Sequence, residues 1–463
     1  MRNTNGMRQT QFELALDEAR RDPPPRGDEG VEPLVPTNET ESPTTEGTME
    51  EVCSRENLRG ALRRVQANKG SPGVDGIRTT ELPAFLKRNW PTIRFQLLNG
   101  TYAPKPVKRV EIPKPDGGVR KLGIPTVLDR FIQQAVLQVL QERWDGTFSA
   151  HSYGFRPNRS AHQAVAQAQK YIAEGNGWVV DIDLEKFFDR VNHDILMGRV
   201  AKRVSDLRLC KLIRAFLNAG VMENGLVSPT KDGTPQGGPL SPLLSNLMLD
   251  DLDRELEKRN HRFVRYADDC NIYVASERAG RRVMESVTRF ITKRLKLKVN
   301  EAKSAVARPQ ERTFLGFTFG HGPNPKRKIA PKSIRRFKNR VRAITKRNRG
   351  VSLEEMIRDL GAYLTGWAAY FRFCESPTAL SILDGWIRRR LRAYVWKQWR
   401  YARHRFDELR RRGVNPRDAR LTASSRKGPW RSSSISSVNF ALSIAYFQNL
   451  GLPSLRVQGE AAG

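Results

Sequence analysis

The sequence has few cysteines and no long apolar run. Its four cysteines, Cys53, Cys210, Cys270 and Cys374, are far apart and form no CxxC pair. This spacing argues against a zinc site or a disulfide framework and is typical of a reducing compartment. No run of 18 or more apolar residues occurs, so we expect no membrane span. The first 21 residues lack the apolar core of a secretory signal, which predicts an intracellular protein.

Negative charge is also scarce, because 81 Lys+Arg face 49 Asp+Glu in 463 residues, a formal net charge of +32. Such an excess indicates a polyanionic partner, of which nucleic acid is the commonest. Residues 21–50 are the exception, with six prolines, eight acidic residues and almost no aromatic content. A segment of this kind buries too little apolar surface to offset its ordering entropy. We therefore predict a disordered acidic tail at 1–53.

From residue 54 onward the pattern predicts an α+β fold with a small antiparallel sheet backed by helices. Helical spacing of apolar residues predicts helices at 127–142, 192–219, 240–259 and 279–297. Short β-branched runs predict strands within 107–125, separated by a turn at 115–118, and at 178–183. Two more runs, 263–266 and 271–274, are separated by a few residues and predict a hairpin.

The region 326–412 concentrates positive charge, with 25 Lys/Arg against 7 Asp/Glu. Four aromatic residues in it recur at the spacing of one helix face, which favours a core-facing stripe: Tyr363, Trp367, Tyr370 and Phe371. The arginines around this stripe would then face outward, as on a helical bundle with a basic surface. Residues 424–437 are rich in serine and predict a linker.

Adjacent carboxylates occur in the predicted hairpin, in Tyr266-Ala267-Asp268-Asp269. Two such charges at the turn of an apolar hairpin are costly unless a cation neutralises them. More acids follow the apolar strand that begins at Trp178, in the run Asp181-Ile182-Asp183. Three carboxylates converging from two strand ends form an oxygen-rich site for Mg²⁺. A pair of such ions can promote the in-line displacement of nucleotidyl transfer.

These residues belong to a longer series of motifs that occur in a fixed order. The series comprises Asn68-Lys69-Gly70-Ser71-Pro72-Gly73-Val74-Asp75-Gly76, the run from Ile112 to Pro125, Ser152-Tyr153-Gly154-Phe155-Arg156-Pro157, the strand ending at Asp183, the run from Gly233 to Pro242, the Tyr-Ala-Asp-Asp turn and Phe314-Leu315-Gly316-Phe317. Over about residues 55–455 the chain resembles the reverse transcriptases, or maturases, encoded by bacterial group II introns. The C-terminal region matches no His-Asn-His endonuclease, so the resemblance is to a lineage without that domain.

The resemblance implies a role for each matching residue. Asp183, rather than Asp181, would join Asp268 and Asp269 as metal ligands for two Mg²⁺ ions, with Mn²⁺ as a substitute. Phe188 would exclude ribonucleotides by packing under the sugar. The remaining matches would contact the incoming nucleotide: Lys114 and Arg120 at its triphosphate, Gln236 in its pocket and Lys303 as a general acid for pyrophosphate departure.

The resemblance also implies a right-hand polymerase. Fingers and palm would occupy 54–322, a helical thumb, also called maturase domain X, 326–400, and a basic DNA-binding segment 401–463. The implied activity is RNA-directed DNA polymerisation together with intron-RNA binding, splicing and target-primed reverse transcription. The expected partners are intron RNA, an RNA template–DNA primer duplex, target DNA and dNTPs, within a ribonucleoprotein in the bacterial cytoplasm. Two alternatives stay open: a free-standing reverse transcriptase used in defence or repair, and a splicing-only RNA-binding maturase.

Overall fold

The computed structural model describes residues 48–113, 119–223, 226–228, 233 and 237–456, with the Arg120 side chain excepted. The described residues divide into two compact units. One lies within Met1–Ala164 and Trp178–Val306, and the other within Val165–Gly177 and Ala307–Gly463. No helix among the described residues is long and apolar enough to cross a membrane.

Helices form most of the first unit. The helices that begin in it are α1 (Met49–Val52), α2 (Arg55–Ala67), α3 (Leu82–Leu98), α4 (Val127–Trp144), α5 (Ala161–Ala173), α6 (Phe187–Arg190), α7 (His193–Ala201), α8 (Leu207–Asn218), α9 (Ser241–Lys258) and α10 (Glu277–Phe290), which continues as a π-helical turn over Ile291–Leu295. Several begin at side-chain caps, for example Thr126, whose hydroxyl accepts the Asp129 N–H at 3.0 Å. The division between the units falls inside α5.

Two four-stranded sheets complete this unit. Their strands are β1 (Val107–Pro113), β2 (Val119–Ile124), β3 (Trp178–Ile182), β4 (Val221–Glu223), β5 (Leu226–Ser228), β6 (Arg262–Tyr266), β7 (Asp269–Val274) and β8 (Ala305–Ala307). The first sheet has the order β2-β1-β4-β5 and the second β6-β7-β3-β8. β3 and β6 both pair with β7 in antiparallel register. A single apolar cluster, which includes residues from Met49 to Val299, packs under the second sheet.

The second unit is mainly helical. Its elements are β9 (Phe317–Phe319), β10 (Arg327–Ile329), α11 (Pro331–Ile344), α12 (Leu353–Phe371), α13 (Pro377–Gln398), α14 (Ala402–Arg411), α15 (Pro416–Ala423), α16 (Pro429–Ser432), α17 (Ser436–Ala441) and α18 (Ile444–Asn449). β9 and β10 form an antiparallel pair. The aromatic stripe of α12 packs inward as predicted. Trp367 lies 4.2 Å from the fully buried Phe337 ring of α11, and Phe371 lies 5.3 Å from Phe317.

The α+β prediction is confirmed, and three local predictions were wrong. The helix predicted over 192–219 is two helices, α7 and α8, because Asp206 caps a new helix by accepting the N–H groups of Arg208 and Leu209. The serine-rich segment is not a linker, since Ser432 and Ser433 are buried and bond to nearby carbonyls. The predicted disordered tail lies outside the described residues as far as residue 47, but its end is helical, with Met49 buried.

Candidate active site

The hairpin β6–β7 presents the adjacent carboxylates at its turn. Tyr266 pairs with Asp269, so Ala267 and Asp268 form a two-residue loop and Asp269 begins β7. Ala267 has a φ of 57°, in the left-handed region that favours glycine. Two-residue hairpin loops require a positive φ at the first central position, and this requirement explains the conformation of Ala267.

Strand β3 brings the third carboxylate to the same edge. Ile182 pairs with Cys270, so Asp183, the next residue, follows β3 at the level where β7 begins with Asp269. The Asp183 backbone is fixed by its N–H, which donates to Ser304 Oγ at 3.0 Å, and by its carbonyl, which accepts the Asn300 N–H at 2.8 Å. Asp181 lies within β3 opposite Asn271. The structure therefore brings together all three carboxylates singled out from the sequence.

These carboxylates line one cavity of about 540 Å³. Its wall is formed by one run and six further residues: 183–189, Val119, Lys121, Asp268, Asp269, Asn300 and Lys303. Lys303 Nζ lies 3.5 Å from Asp183 Oδ2 and forms an ion pair with it. Five residues that the sequence assigned to the site therefore line this one cavity: Asp183, Phe188, Asp268, Asp269 and Lys303.

Electrostatics within the cavity favour binding of a cation. Asp269 lines the cavity as a solvent-exposed residue, but nearby protein still removes part of the hydration of its carboxyl group. The pKa of Asp269 is raised to about 7, chiefly by loss of hydration and further by repulsion from Asp268, Asp181 and Asp183, while Lys303 opposes the rise. Carboxylate oxygens are the ligands that Mg²⁺ and Mn²⁺ prefer. The donor chemistry therefore suits a divalent ion, although no group of three or more His, Cys, Asp or Glu side chains in the described ranges stands at coordinating geometry.

The two neighbouring phenylalanines of α6 differ in environment. Both border the cavity, but Phe187 is buried in the core, whereas Phe188 is partly exposed. Their rings are 5.2 Å apart and nearly perpendicular. Phe187 is thus an ordinary core aromatic, and the Phe188 ring is available to a molecule in the cavity.

Three predicted nucleotide contacts lie outside the described residues: Lys114, Gln236 and the side chain of Arg120. Their described neighbours lie close to the cavity. Gly233 approaches Phe188, since a Cβ on Gly233 would lie 2.8 Å from the Phe188 carbonyl oxygen. His193 Nε2 donates to the Gly233 carbonyl at 2.5 Å and fixes this end of the glycine-rich segment.

Lys121 of β2, which no sequence pattern pointed to, also lines the cavity and forms a 3.8 Å ion pair with Glu111. Val119, two residues earlier, also lines the cavity, as the alternation of strand side chains requires, but the sequence alone did not show that this face of β2 borders the site. Arg265 of β6, which is fully buried directly before the carboxylate turn, was likewise not predicted. A buried arginine beside an apolar strand carries no sequence signal of its own.

Two families match this chain in order. Residues 112–319 match "Reverse transcriptase (RNA-dependent DNA polymerase)". Residues 334–413 match "Group II intron, maturase-specific domain". The first match contains Asp183, Asp268 and Asp269, and the second contains the aromatic stripe of α12.

Curated relatives agree with these matches. Protein YkfC of Escherichia coli (strain K12) is 42% identical over 214 residues, which are 45% of this chain and 56% of YkfC. The group II intron-encoded protein LtrA of Lactococcus lactis subsp. cremoris is 38% identical over 195 residues, 42% of this chain and 32% of LtrA. The matched segment thus spans about half of YkfC and a third of LtrA.

Proposed function

We propose that this chain, which carries a reverse transcriptase domain followed by a group II intron maturase-specific domain, is an RNA-directed DNA polymerase that also binds its intron RNA. The observation that carries the proposal is the convergence of Asp183, Asp268, Asp269 and Phe188 on one cavity inside the reverse transcriptase match. A binding protein without catalysis has no use for such an arrangement.

Asp183, Asp268 and Asp269 would hold two Mg²⁺ ions, or Mn²⁺ in their place. When bound, the ions supply charge neutralisation and activation of the primer 3′-hydroxyl. The carboxylates of the chain itself would orient that end of the primer, because two of them are fixed by the hairpin, and the backbone of the third donates to Ser304 and accepts from Asn300. The pKa of Asp269 is raised first by loss of hydration and then by repulsion from this concentration of negative charge.

Other residues of the cavity would select and position the nucleotide. The Phe188 ring would pack under the sugar and clash with a 2′-hydroxyl. Lys303, held 3.5 Å from Asp183, would deliver a proton to the departing pyrophosphate. Lys114, Arg120 and Gln236 remain the proposed contacts to the triphosphate and the base pocket.

The second unit would act as the thumb and maturase domain. Three cations surround the Trp386 ring of α13 at 5.4–5.8 Å, namely Lys338, Arg342 and Arg390. Basic groups beside an aromatic ring suit phosphates and unpaired bases of RNA. We propose that this unit grips the template–primer duplex and intron RNA and promotes splicing, and that 401–463 contacts target DNA.

Primer extension tests the polymerase. The purified protein receives an RNA template with an annealed DNA primer, dNTPs and Mg²⁺, beside Asp268→Asn and a control variant, Asp194→Asn. Asp194 is an exposed carboxylate of the same unit that pairs with Arg214. We expect cDNA from the wild type and Asp194→Asn, and none from Asp268→Asn or without a divalent ion. A folded wild-type protein that binds RNA tightly but makes no cDNA would overturn the proposal and favour a splicing-only maturase.

A further inference from the structure

Beneath the carboxylate turn lies a fully buried ion pair between Arg265 of β6 and Asp253 of α9. Their side chains are 1% and 0% exposed. Arg265 Nε and Nη2 donate to the two Asp253 oxygens at 2.7 and 2.6 Å, in a bidentate arrangement. An ion pair at this depth does not in general stabilise a fold more than apolar side chains of equal volume. Its presence here therefore points to a task other than stability.

The remaining donors of Arg265 show what that task is. Nη1 donates to the Ala267 carbonyl at 2.8 Å and to Asn246 Oδ1 at 3.1 Å, and Nη2 donates to Ser152 Oγ at 2.7 Å. All five N–H donors of the guanidinium are thus used. Among these acceptors, Ala267 is the residue directly before Asp268, and its positive φ is unfavourable for an L-residue.

The segment 151–154, which precedes α5, also contacts the strand that leads into this turn. The Tyr153 N–H donates to the Arg265 carbonyl at 2.9 Å, and the Arg265 N–H donates to the His151 carbonyl at 2.9 Å. Asn246 links this segment to Arg265, because its Nδ2 donates to the Gly154 carbonyl at 2.9 Å. The turn is therefore held by contacts between segments more than 100 residues apart in the chain.

We propose that Arg265 is a positioning residue: oriented by Asp253, it holds the Ala267 carbonyl and so fixes Asp268 and Asp269 for divalent-ion binding. This inference rests on the proposed polymerase function. Arg265 does not touch the cavity, and Asp253 balances its charge. It acts through the backbone of the turn, as outer groups that orient metal ligands do.

The test separates positioning from stability with a double variant, Arg265→Met with Asp253→Leu. Both charges are then replaced by apolar side chains, so no lone charge is left buried and we expect the protein to fold, with a lowered melting temperature because Ser152, Asn246 and Ala267 lose a donor. The Ala267 carbonyl loses its donor in this variant. We expect amide exchange of the 266–270 segment to accelerate at least tenfold, and Mn²⁺ affinity, followed by electron paramagnetic resonance, to fall about 10- to 100-fold. Primer extension should fall by a similar factor, with RNA binding unchanged.

Ser152→Ala is the matched control, because it removes one Arg265 bond and leaves the bond to Ala267 in place. We expect its exchange rate and Mn²⁺ affinity to stay within about twofold of the wild type. Arg265→Lys provides a second variant, since a lysine keeps the charge but lacks the fork needed to reach Asp253 and Ala267 together. It should behave like the double variant.

The proposal is overturned if the folded double variant exchanges and binds Mn²⁺ like the wild type. It is also overturned if both the double variant and Arg265→Lys fail to fold, since Arg265 would then serve the core alone. An inactive wild type would refute the polymerase function instead, and the exchange and Mn²⁺ measurements would still decide the role of Arg265.

Discussion

Substitution of Gly154 by alanine tests whether the position of the carboxylate turn controls catalysis. A Cβ at Gly154 would lie 2.3 Å from the Ala267 nitrogen, 3.0 Å from the Tyr266 carbonyl carbon and 3.1 Å from the Ala267 Cα. All three are backbone atoms, so no side-chain rotation can relieve the contact. Since non-bonded atoms prefer about 3.5–4.0 Å, the two segments must separate by about 1 Å.

This displacement falls on the residue before Asp268, so we expect Gly154→Ala to lower kcat about 100-fold, the usual effect of a 1 Å misplacement of reacting groups. The free energy of unfolding should fall by about 1–3 kcal/mol, as for other overpacked sites. The assay is single-turnover primer extension at saturating duplex, with duplex affinity and the melting temperature measured separately.

Gly198→Ala in α7 is the control, because no described atom lies within 4 Å of its Cβ position. Alanine there should leave kcat unchanged and stabilise the helix slightly. A folded Gly154→Ala protein with kcat within threefold of the wild type would refute the reasoning, since the turn would then tolerate the shift or take no part in catalysis.

Three further predictions concern sugar selection, the aromatic core and salt. Phe188→Ala should weaken discrimination against ribonucleotides about 10- to 100-fold in competitive incorporation assays. Phe187→Leu, in the core, should leave this discrimination intact, and equal effects of the two substitutions would contradict the role of Phe188 in sugar selection. Phe337→Ala should lower the free energy of unfolding by about 3–5 kcal/mol in denaturant titrations, because the ring is fully buried against Trp367 and Tyr363; a loss under 1 kcal/mol would show that the stripe is not core. If the protein neutralises about six phosphates, RNA affinity should fall on the order of 1,000-fold between about 50 and 200 mM salt, and a flat salt profile would argue against a phosphate-binding basic surface.

The sequence by itself determined which acidic residues could form the site and most of the helices and strands around them. Adjacent carboxylates in an apolar hairpin, and a further acid after a β-branched strand, follow from local pattern, and β3, β6 and β7 occur where short β-branched runs predict strands. The charge excess follows from composition alone. The aromatic stripe of α12 was also predictable, because helical periodicity is a local property of the sequence. Lys114, Arg120 and Gln236 rest on sequence alone.

Tertiary structure decided what holds the carboxylates in place. Arg265 contacts Ser152, 113 residues away, and Gly154 packs against the turn itself. Neither contact has a periodic signature, since a buried arginine and an ordinary glycine look the same in the sequence as exposed ones. The place of Lys121 in the cavity wall and the burial of Ser432 also have no periodic signature in the sequence. Pairings between distant segments depend on how the whole chain packs, and so no local pattern could have supplied them.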